Sequence, residues 1–261
     1  MNKAIRSIKK NLSLVGFSTH SFISLIKGLP YFLKTKKKLK QQLKGRTEFA
    51  FHLTPNFEDR FSSGGTMRGH YFHQDLYVAR KIYQNNPQKH LDIGSRVDGF
   101  IAHVAVFREI EIVDIRPIES KVKNIVTRQA DLLKLPSTYH NYCDSVSSLH
   151  AIEHIGLGRY GDPIDADGHL KAIDTIYSIL KPNGKFYFAV PIGPQRIEFN
   201  SHRVFSIGYL LSLFELKFRV DSFAYVNDEG YLIEDASLTK ENIDSTFNCN
   251  YGCGIFELTK M

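Results

Sequence analysis

Short apolar runs recur through most of the chain, and stretches with helical spacing separate them. The runs predict strands over residues 90–93, 111–113, 124–127, 144–149, 185–190, 218–226 and 254–258. The spacing of apolar side chains predicts helices over residues 71–83, 100–107, 169–180 and 207–214. Strands that alternate with helices favour a mostly parallel sheet with helices on both faces, so we predict a seven-stranded α/β domain. No helix separates the last two strands, so we expect an antiparallel pair at one edge.

The N-terminal segment differs from the rest of the chain in charge. Residues 1–47 contain 12 Lys or Arg residues and no Asp or Glu, whereas the remainder carries 22 basic and 27 acidic residues. We therefore divide the chain into a basic helical N-terminal arm, residues 1–47, and an α/β domain, residues 48–261. The acidic body lacks the basic cleft expected of a nucleic-acid enzyme, so we expect no nucleic-acid partner.

The arm has apolar residues near one helical face but no membrane-spanning segment. No run reaches the roughly 18 uncharged apolar residues that a transmembrane helix requires. With the lysine cluster 34–40, two interpretations stay open: a helical extension with a solvated lysine face, or a helix on an anionic membrane surface. We expect a cytoplasmic protein, and the second interpretation adds a peripheral position at the inner face of the membrane. The apolar residues in question are Ile5, Ile8, Leu12, Val15, Phe22, Ile23, Leu25 and Ile26.

The cysteine content argues against a disulfide framework. Only Cys143, Cys249 and Cys253 are present, and the C-x-x-x-C spacing of the last two has no second pair to complete a zinc site. We interpret all three as reduced structural residues and expect no resident metal.

Residues 90–117 contain the strongest indication of a ligand site. The first predicted strand ends in Leu91-Asp92-Ile93-Gly94, a helix follows, and the second strand ends in Val113-Asp114-Ile115. A glycine at the turn lets the backbone approach a nucleoside-containing cofactor, and an acid at the end of the second strand can accept hydrogen bonds from ribose hydroxyls. The segment therefore predicts a cofactor-dependent α/β enzyme.

Five blocks resemble the class I S-adenosylmethionine-dependent methyltransferase pattern: LDIG, VDIRP, QADLLKLP, YCDSVSSLHAIEHI and LKPNGKFYFAVP. Within that superfamily, HAIEHIGLGRYGDP and FNSHRVFS are similar to an uncharacterised methyltransferase-like family of unknown function, often found among polysaccharide-assembly enzymes. The resemblance covers residues 60–261. It implies a Rossmann-like fold and S-adenosyl-L-methionine as cofactor. It also implies methyl transfer to an oxygen of a sugar, glycan or nucleotide-linked precursor in surface-polysaccharide biosynthesis.

The resemblance also implies which residues hold the cofactor. They follow the first four strands: Asp92, Gly94, Ser95, Asp114, Ile115, Asp131, Leu132 and His150. One departure stands out, because the superfamily prefers G-x-G-x-G and this chain keeps only Gly94 and Gly99, with Arg96 near the cofactor. The alternative function is a non-catalytic Rossmann-like binding module in a membrane-associated assembly complex, which the altered glycine motif permits.

Candidate catalytic residues follow the fourth strand. His150, Glu153 and His154 lie where a general base for an alcohol acceptor is needed, and they could equally hold the loop. We expect His150 nearest the transferred methyl, with Glu153 or His154 holding the loop. The predicted substrate-binding residues, which could contact an anionic acceptor, are Arg159, Tyr160, Asp162, His202 and Arg203.

Two metal-dependent alternatives concern the same loop. His150-x-x-Glu153-His154 matches the inverzincin zinc pattern, but Gly156 and Gly158 would cut short the helix that a zinc peptidase requires. A magnesium ion could instead be held by oxygen and nitrogen ligands from Asp162, Asp165 and His169. Arg203 has a second interpretation as a structural ion pair.

Overall fold

The computed structural model describes residues 19–119 and 121–261. This part of the chain divides into two compact units, one up to Thr66 and one from Met67 to Met261. The first unit contains helix α1 (Thr19–Leu43), which ends shortly before the predicted end of the arm. The apolar positions predicted between Ile5 and Val15 lie outside the described residues. Within the described ranges, no helix is both long and apolar enough to cross a bilayer.

The second unit contains an eight-stranded sheet with the order β3-β2-β1-β4-β5-β10-β8-β9 and a separate hairpin of β6 and β7. The strands are β1 (His90–Ile93), β2 (Ile110–Asp114), β3 (Ile125–Gln129), β4 (Cys143–Leu149), β5 (Leu180–Ile192), β6 (Arg196–Glu198), β7 (His202–Val204), β8 (Phe218–Val226), β9 (Leu232–Ile233) and β10 (Gly252–Lys260). The helices are α2 (His70–Asn85), α3 (Ala102–Ala105), α4 (Gly168–Ile179), α5 (Ile207–Phe214) and α6 (Lys240–Ser245).

The predicted α/β architecture is confirmed, with two corrections to the sheet. β9 adds an eighth strand, because its two residues pair with Tyr225 and Val226 of β8. β10 is antiparallel to β8 as predicted, but it also pairs with β5 and therefore lies inside the sheet rather than at its edge. All nine of its residues are buried, which fits an interior strand whose backbone is paired on both sides.

Alternating side chains of the central strands build two cores. On β5, Phe186 and Phe188 pack with α4 and α5 on one face, whereas Tyr187 and Ala189 pack with α2 and α3 on the other. This period of two is the pleat of a strand buried on both sides. The helices therefore cover both faces of the sheet, as the sequence predicts.

A buried polar ladder fixes the register of β1 against β4. His90 pairs with Ser145 and Asp92 with Ser147 in the parallel register. His90 Nδ1 lies 2.8 Å from Ser145 Oγ, and Ser147 Oγ donates to Asp92 Oδ2 at 2.5 Å. A slip of this register would leave these buried groups without partners, at a cost of about 1–3 kcal/mol each. The ladder thus positions the carboxyl ends of both strands.

Candidate cofactor and acceptor site

A cavity lies at the carboxyl ends of β1 to β4, where the strand order reverses between β1 and β4. Crevices at such a switch point are where open α/β sheets bind their ligands. We call it the first cavity. Six of the predicted cofactor-binding residues line it: Gly94, Asp114, Ile115, Asp131, Leu132 and His150.

Gly94 forms the turn at the floor of the first cavity. Its φ of +67° lies in the left-handed region that favours glycine, and its N–H donates to the Val113 carbonyl at 3.0 Å. A Cβ at this position would lie 3.1 Å from the Cβ of Ala151, so a side chain would crowd the floor. Gly99, the other glycine left of the motif, has a different role, because a Cβ there would collide with the Asp75 carboxylate of α2.

Asp92 and Ser95 hold this turn from below and do not line the cavity. The Asp92 carboxylate accepts from the Ser95 N–H at 2.9 Å and from Ser95 Oγ at 2.6 Å. Ser95 Oγ in turn accepts from the Leu149 N–H at 3.0 Å. Burial raises the pKa of Asp92 to about 6, although its hydrogen bonds from Ser147 and Ser95 oppose the shift. Both residues therefore support the turn on which Gly94 lies.

Asp114, at the end of β2, is bound by the arginine two residues later. Its Oδ1 accepts from the Arg116 backbone N–H at 2.8 Å and from Nε at 3.0 Å, and its Oδ2 accepts from Nη2 at 2.7 Å. The Arg116 guanidinium also lies 4.5 Å from the centre of the Tyr160 ring. A ligand hydroxyl that binds Asp114 must therefore share the carboxylate with Arg116.

Asp131 caps the turn after β3 and also lines the first cavity. Its Oδ1 accepts from the Leu133 N–H at 3.0 Å, and its Oδ2 lies 3.4 Å from Lys134 Nζ. The turn-forming role explains its position, and the cavity wall is formed by Asp131 together with Leu132.

His150 occupies a strained backbone position directly after β4. Its φ of +54° is uncommon for a residue with a Cβ, and such strain is concentrated at functional sites. Its backbone N–H donates to the Ala189 carbonyl at 2.8 Å, and its Nδ1 lies 2.7 Å from Glu153 Oε1. Burial opposes the imidazolium, but the Cys253 sulfur and the Glu153 carboxylate outweigh it and raise the pKa of His150 well above 6.5.

Glu153 lies between two histidines in a buried position. Its Oε1 is 2.7 Å from His150 Nδ1 and 3.7 Å from His154 Nε2. Burial opposes ionisation, yet the neighbouring His150 lowers the pKa of Glu153 below its usual value. The carboxylate is therefore charged at neutral pH and stabilises positive charge on either imidazole.

His154 has a defined tautomer and lines both this cavity and a second one. Its Nδ1 lies 2.6 Å from the Ser201 carbonyl oxygen, which can only accept, so Nδ1 is the donor. Arg159 Nη1 lies farther from that nitrogen, at 3.3 Å. Burial lowers the pKa of His154, and Arg159 and His150 add to the effect while Glu153 opposes it. At neutral pH the ring is neutral, and its lone pair is on Nε2.

The second cavity adjoins the first and is more polar and cationic. Gly94, His150 and Arg116 line both cavities. His154 and Tyr160 also line both, and the further lining residues of the second cavity are Tyr71, Arg96, Glu153, Arg159, Ser201, His202 and Tyr251. His202 Nδ1 lies 2.7 Å from Ser201 Oγ, and its Nε2 is buried without a hydrogen-bond partner among the described residues. This surface can receive a ligand that carries hydrogen-bond acceptors or negative charge.

The predicted substrate-binding residues divide between these cavities and the loop that supports them. Arg159, Tyr160 and His202 line the second cavity. Asp162 lines the first, but its Oδ2 accepts from the N–H groups of residues 156 and 158 at 2.7 and 3.2 Å. Arg203 lines neither cavity, and its Nη1 and Nη2 donate to the carbonyls of residues 155 and 166 at 2.7 and 3.2 Å. Asp162 and Arg203 thus hold the polar loop in shape.

The residues of the magnesium alternative do not converge. Asp165 pairs with Lys171 at 2.5 Å, and His169 Nε2 lies 2.7 Å from the hydroxyl oxygen of Tyr209. The inverzincin arrangement is also not formed, because a short 3-10 turn (Ile152–His154) replaces the regular helix it needs. Within the described residues, one group of potential metal ligands does converge, and it shares only His150 with the zinc pattern: His70, His150 and Cys253.

The sequence gives no indication that several other residues belong to this site. Arg116 belongs to the VDIRP block, but its pairing with Asp114 depends on how the chain turns after β2. Tyr71 comes from α2 and Tyr251 from the segment before β10. Each reaches the site through long-range strand and helix packing, which local periodicity does not encode.

A family model described as "Caenorhabditis protein of unknown function, DUF268" matches residues 104–248. A comparison with curated proteins gives no significant match.

Among solved structures, the chain is similar to the 1,6-didemethyltoxoflavin-N1-methyltransferase of Burkholderia thailandensis, solved with S-adenosylhomocysteine (TM-score 0.51, 14% identity, 72% of this chain and 78% of that one). It is also similar to a putative sarcosine dimethylglycine methyltransferase from Galdieria sulphuraria (0.51, 15%, 72% and 85%). A third similar structure is the [4+2]-cyclase SpnF (0.51, 14%, 72% and 80%). These likenesses show a Rossmann-like fold of the kind found in methyltransferases. The cyclase has a similar fold and a different reaction, so the fold alone does not define the reaction of this chain.

Proposed function

The chain belongs to the DUF268 family, whose description names no activity, and from its site we propose that it is an S-adenosylmethionine-dependent methyltransferase. The observation that carries the proposal is the first cavity. A side-chain-free turn at Gly94, the buried carboxylate of Asp114 and the loop after β3 meet there at the switch point of the sheet.

The residues of the first cavity fit this cofactor. Gly94 leaves room for the methionine portion, because any Cβ would crowd Ala151. Asp114 would accept hydrogen bonds from the ribose hydroxyls, sharing its carboxylate with Arg116. Asp131 and Leu132 would form the wall beside the adenine. When bound, the cofactor supplies an electrophilic methyl group on a sulfonium centre.

We assign the general base to His154. Its Nδ1 is committed to the Ser201 carbonyl, so Nε2 is free to accept a proton from an acceptor hydroxyl. The Glu153 carboxylate, 3.7 Å from that nitrogen, would stabilise the imidazolium that forms. Burial opposes the imidazolium of His150, but the neighbouring Cys253 sulfur and Glu153 carboxylate raise the pKa of His150 above its ordinary value, which disfavours it as the base relative to His154. In this proposal His150 lies beside the reacting groups but does not accept the proton of the acceptor hydroxyl.

The second cavity favours an acceptor that carries a negative charge. Arg159 lines it and has no ion pair among the described residues, whereas the other two arginines of the lining, Arg96 and Arg116, are paired with carboxylates. Guanidinium groups bind phosphates and carboxylates through paired hydrogen bonds. Tyr71 and Tyr251 supply flat surfaces beside them. We therefore propose O-methylation of a sugar phosphate, a uronic acid or a nucleotide-linked sugar, as in the assembly of a surface polysaccharide.

Release of S-adenosylhomocysteine in the presence of a panel of sugars tests this acceptor class. We expect turnover with phosphorylated or carboxylated sugars and little with the matching neutral sugars. Arg159→Gln should raise KM for the anionic acceptor about tenfold or more, the effect of losing one charge-assisted hydrogen bond. Arg219→Gln is the matched control, because Arg219 pairs with Asp221 away from both cavities. Faster turnover of the neutral sugars would contradict the assignment.

We also propose that α1 attaches the enzyme to the cytoplasmic face of an anionic membrane. Ile26, Leu29 and Leu33 follow helical spacing and are 60%, 42% and 49% exposed. The same helix carries Lys34, Lys36, Lys37, Lys38 and Lys40. Exposed apolar side chains next to a lysine cluster are typical of helices that lie on anionic lipid.

Sedimentation with lipid vesicles tests the role of α1. The full chain should bind vesicles that contain phosphatidylserine and not neutral phosphatidylcholine vesicles, and added salt should weaken the binding. Leu29→Glu should remove most of the binding, whereas Leu216→Glu, at a more exposed leucine of the second unit (89% against 42%), should not. Equal loss in both variants would contradict the proposal.

A further inference from the structure

Three potential metal ligands from distant parts of the chain meet beside the second cavity. They are His70 at the start of α2, His150 after β4 and Cys253 on β10, and their ligand atoms all lie within 4.8 Å of one another. We propose that these three side chains bind a divalent transition-metal ion, for which zinc is the best match.

One ring nitrogen of His150 lacks the partner that a metal would supply. Its Nδ1 is bound by Glu153 at 2.7 Å, whereas its Nε2 is buried and has no hydrogen bond of ordinary geometry within the described residues, with the Cys253 thiol as a neighbour of the ring. A buried polar atom without a partner costs about 1–3 kcal/mol, so its presence requires an explanation. Coordination of a metal by Nε2 would remove this cost.

His150 is oriented as a metal-ligating histidine usually is, and His70 lies directly against it. The Glu153 carboxylate accepts from Nδ1 of His150, which is the carboxylate–histidine arrangement that holds ligating imidazoles in proteins. The ring of His70 stacks parallel to the ring of His150, with the two centroids 5.2 Å apart. In His150 the other nitrogen, Nε2, can then coordinate an ion, and any proton that it carries is released as H⁺ when the metal–nitrogen bond forms.

The ligand types select the metal. Two imidazoles and a thiolate form a borderline-soft set, which suits zinc better than magnesium or calcium. The Cys253 thiol lies 3.5 Å from Gln74 Oε1, and it would lose its proton on coordination, so that a metal–sulfur bond forms and H⁺ is released. Three protein ligands leave one position of a tetrahedral ion for water or for an oxygen of a bound acceptor.

This site differs from the zinc pattern in the sequence of the loop. That pattern pairs His150 with His154, but His154 Nδ1 is bound to the Ser201 carbonyl and its Nε2 lies beside Glu153. The proposed set takes its second histidine and its thiol from other elements of the second unit. His154 therefore remains available as the base while His150 binds the ion.

Cobalt(II) is the probe for this site, because a cobalt–thiolate bond produces a charge-transfer absorption. The full chain, stripped with a chelator, should bind one cobalt ion with that absorption, and zinc should displace it. Cys253→Ser should abolish the absorption and weaken binding at least about 100-fold, and Glu153→Gln should weaken it about 10–100-fold. Cys249→Ser is the matched control, since Cys249 is equally a buried free thiol and lies outside the cluster.

Two further readouts keep the test decisive. His70→Asn, at a partly buried position, should weaken cobalt binding while thermal unfolding stays cooperative. S-adenosylhomocysteine binding by the stripped protein should persist, which separates this proposal from the methyltransferase assignment. Absence of the charge-transfer absorption, or equal losses in Cys249→Ser and Cys253→Ser, would overturn the metal site.

Discussion

Replacement of His154 by Gln should lower kcat about 10²–10⁴-fold, the usual contribution of a general base, with little change in S-adenosylhomocysteine affinity. Glutamine can keep a hydrogen bond to the Ser201 carbonyl but cannot take up a proton. His202→Gln is the matched control, because His202 lines the same second cavity and has no assigned proton transfer. It should act mainly on KM. Measurement of S-adenosylhomocysteine release with the best anionic acceptor separates the two variants.

The pH dependence of the wild-type rate identifies which histidine is the base. A base acts in its deprotonated form, so the rate rises with pH through its pKa. Burial, with Arg159 and His150, lowers the pKa of His154, and therefore the half-maximal rate should fall below pH 6.5. The pKa of His150 is raised well above that value. A rate that is half-maximal clearly above pH 6.5 would instead assign the base to His150.

Replacement of Asp114 by Asn should weaken binding of S-adenosylhomocysteine about 10–100-fold, since hydrogen bonds to a charged group contribute about 1.5–3 kcal/mol. The variant keeps the size of the side chain and removes the negative charge that the ribose hydroxyls would face. It also breaks the pair with Arg116. Calorimetric titration of the variant against the wild type gives the change directly.

Asp98→Asn is the control for the loss of an arginine pair. Arg96 binds Asp98 through Nε at 3.0 Å and Nη2 at 2.9 Å, which is the same two-point geometry two residues apart. Asp98 does not line the first cavity. If both variants and the wild type bound S-adenosylhomocysteine with equal affinity, Asp114 would not be the residue that binds the ribose.

The strand ends of the site could be predicted from the sequence because each follows a short buried run. Gly94, Asp114 and His150 come directly after such runs, and parallel strands bring their carboxyl ends to one edge. Periodicity also gives the two cores, since the alternation of Phe186 and Tyr187 is local. These features depend on neighbours in sequence and on the pleat alone.

The other features of the fold and of the site depend on contacts between segments that are distant in sequence. The position of β10 between β5 and β8 is a choice of partners that its apolar run does not specify. For the same reason the sequence predicts only a structural role for Cys253, whereas β10 brings its sulfur close to His70 and His150. β9 was not predicted because two residues are too short to show any periodicity. The role of Arg203 in holding the loop depends on the backbone carbonyls that it binds, which its neighbours in sequence do not specify.

The central claim is that the first cavity binds S-adenosylmethionine, and calorimetric titration of the full chain with S-adenosylhomocysteine tests it most directly. We predict saturable binding of one molecule per chain, competed by S-adenosylmethionine and weakened by Asp114→Asn but not by Asp98→Asn. A cooperatively folded protein that shows no saturable binding would contradict the claim and would favour a non-catalytic binding module.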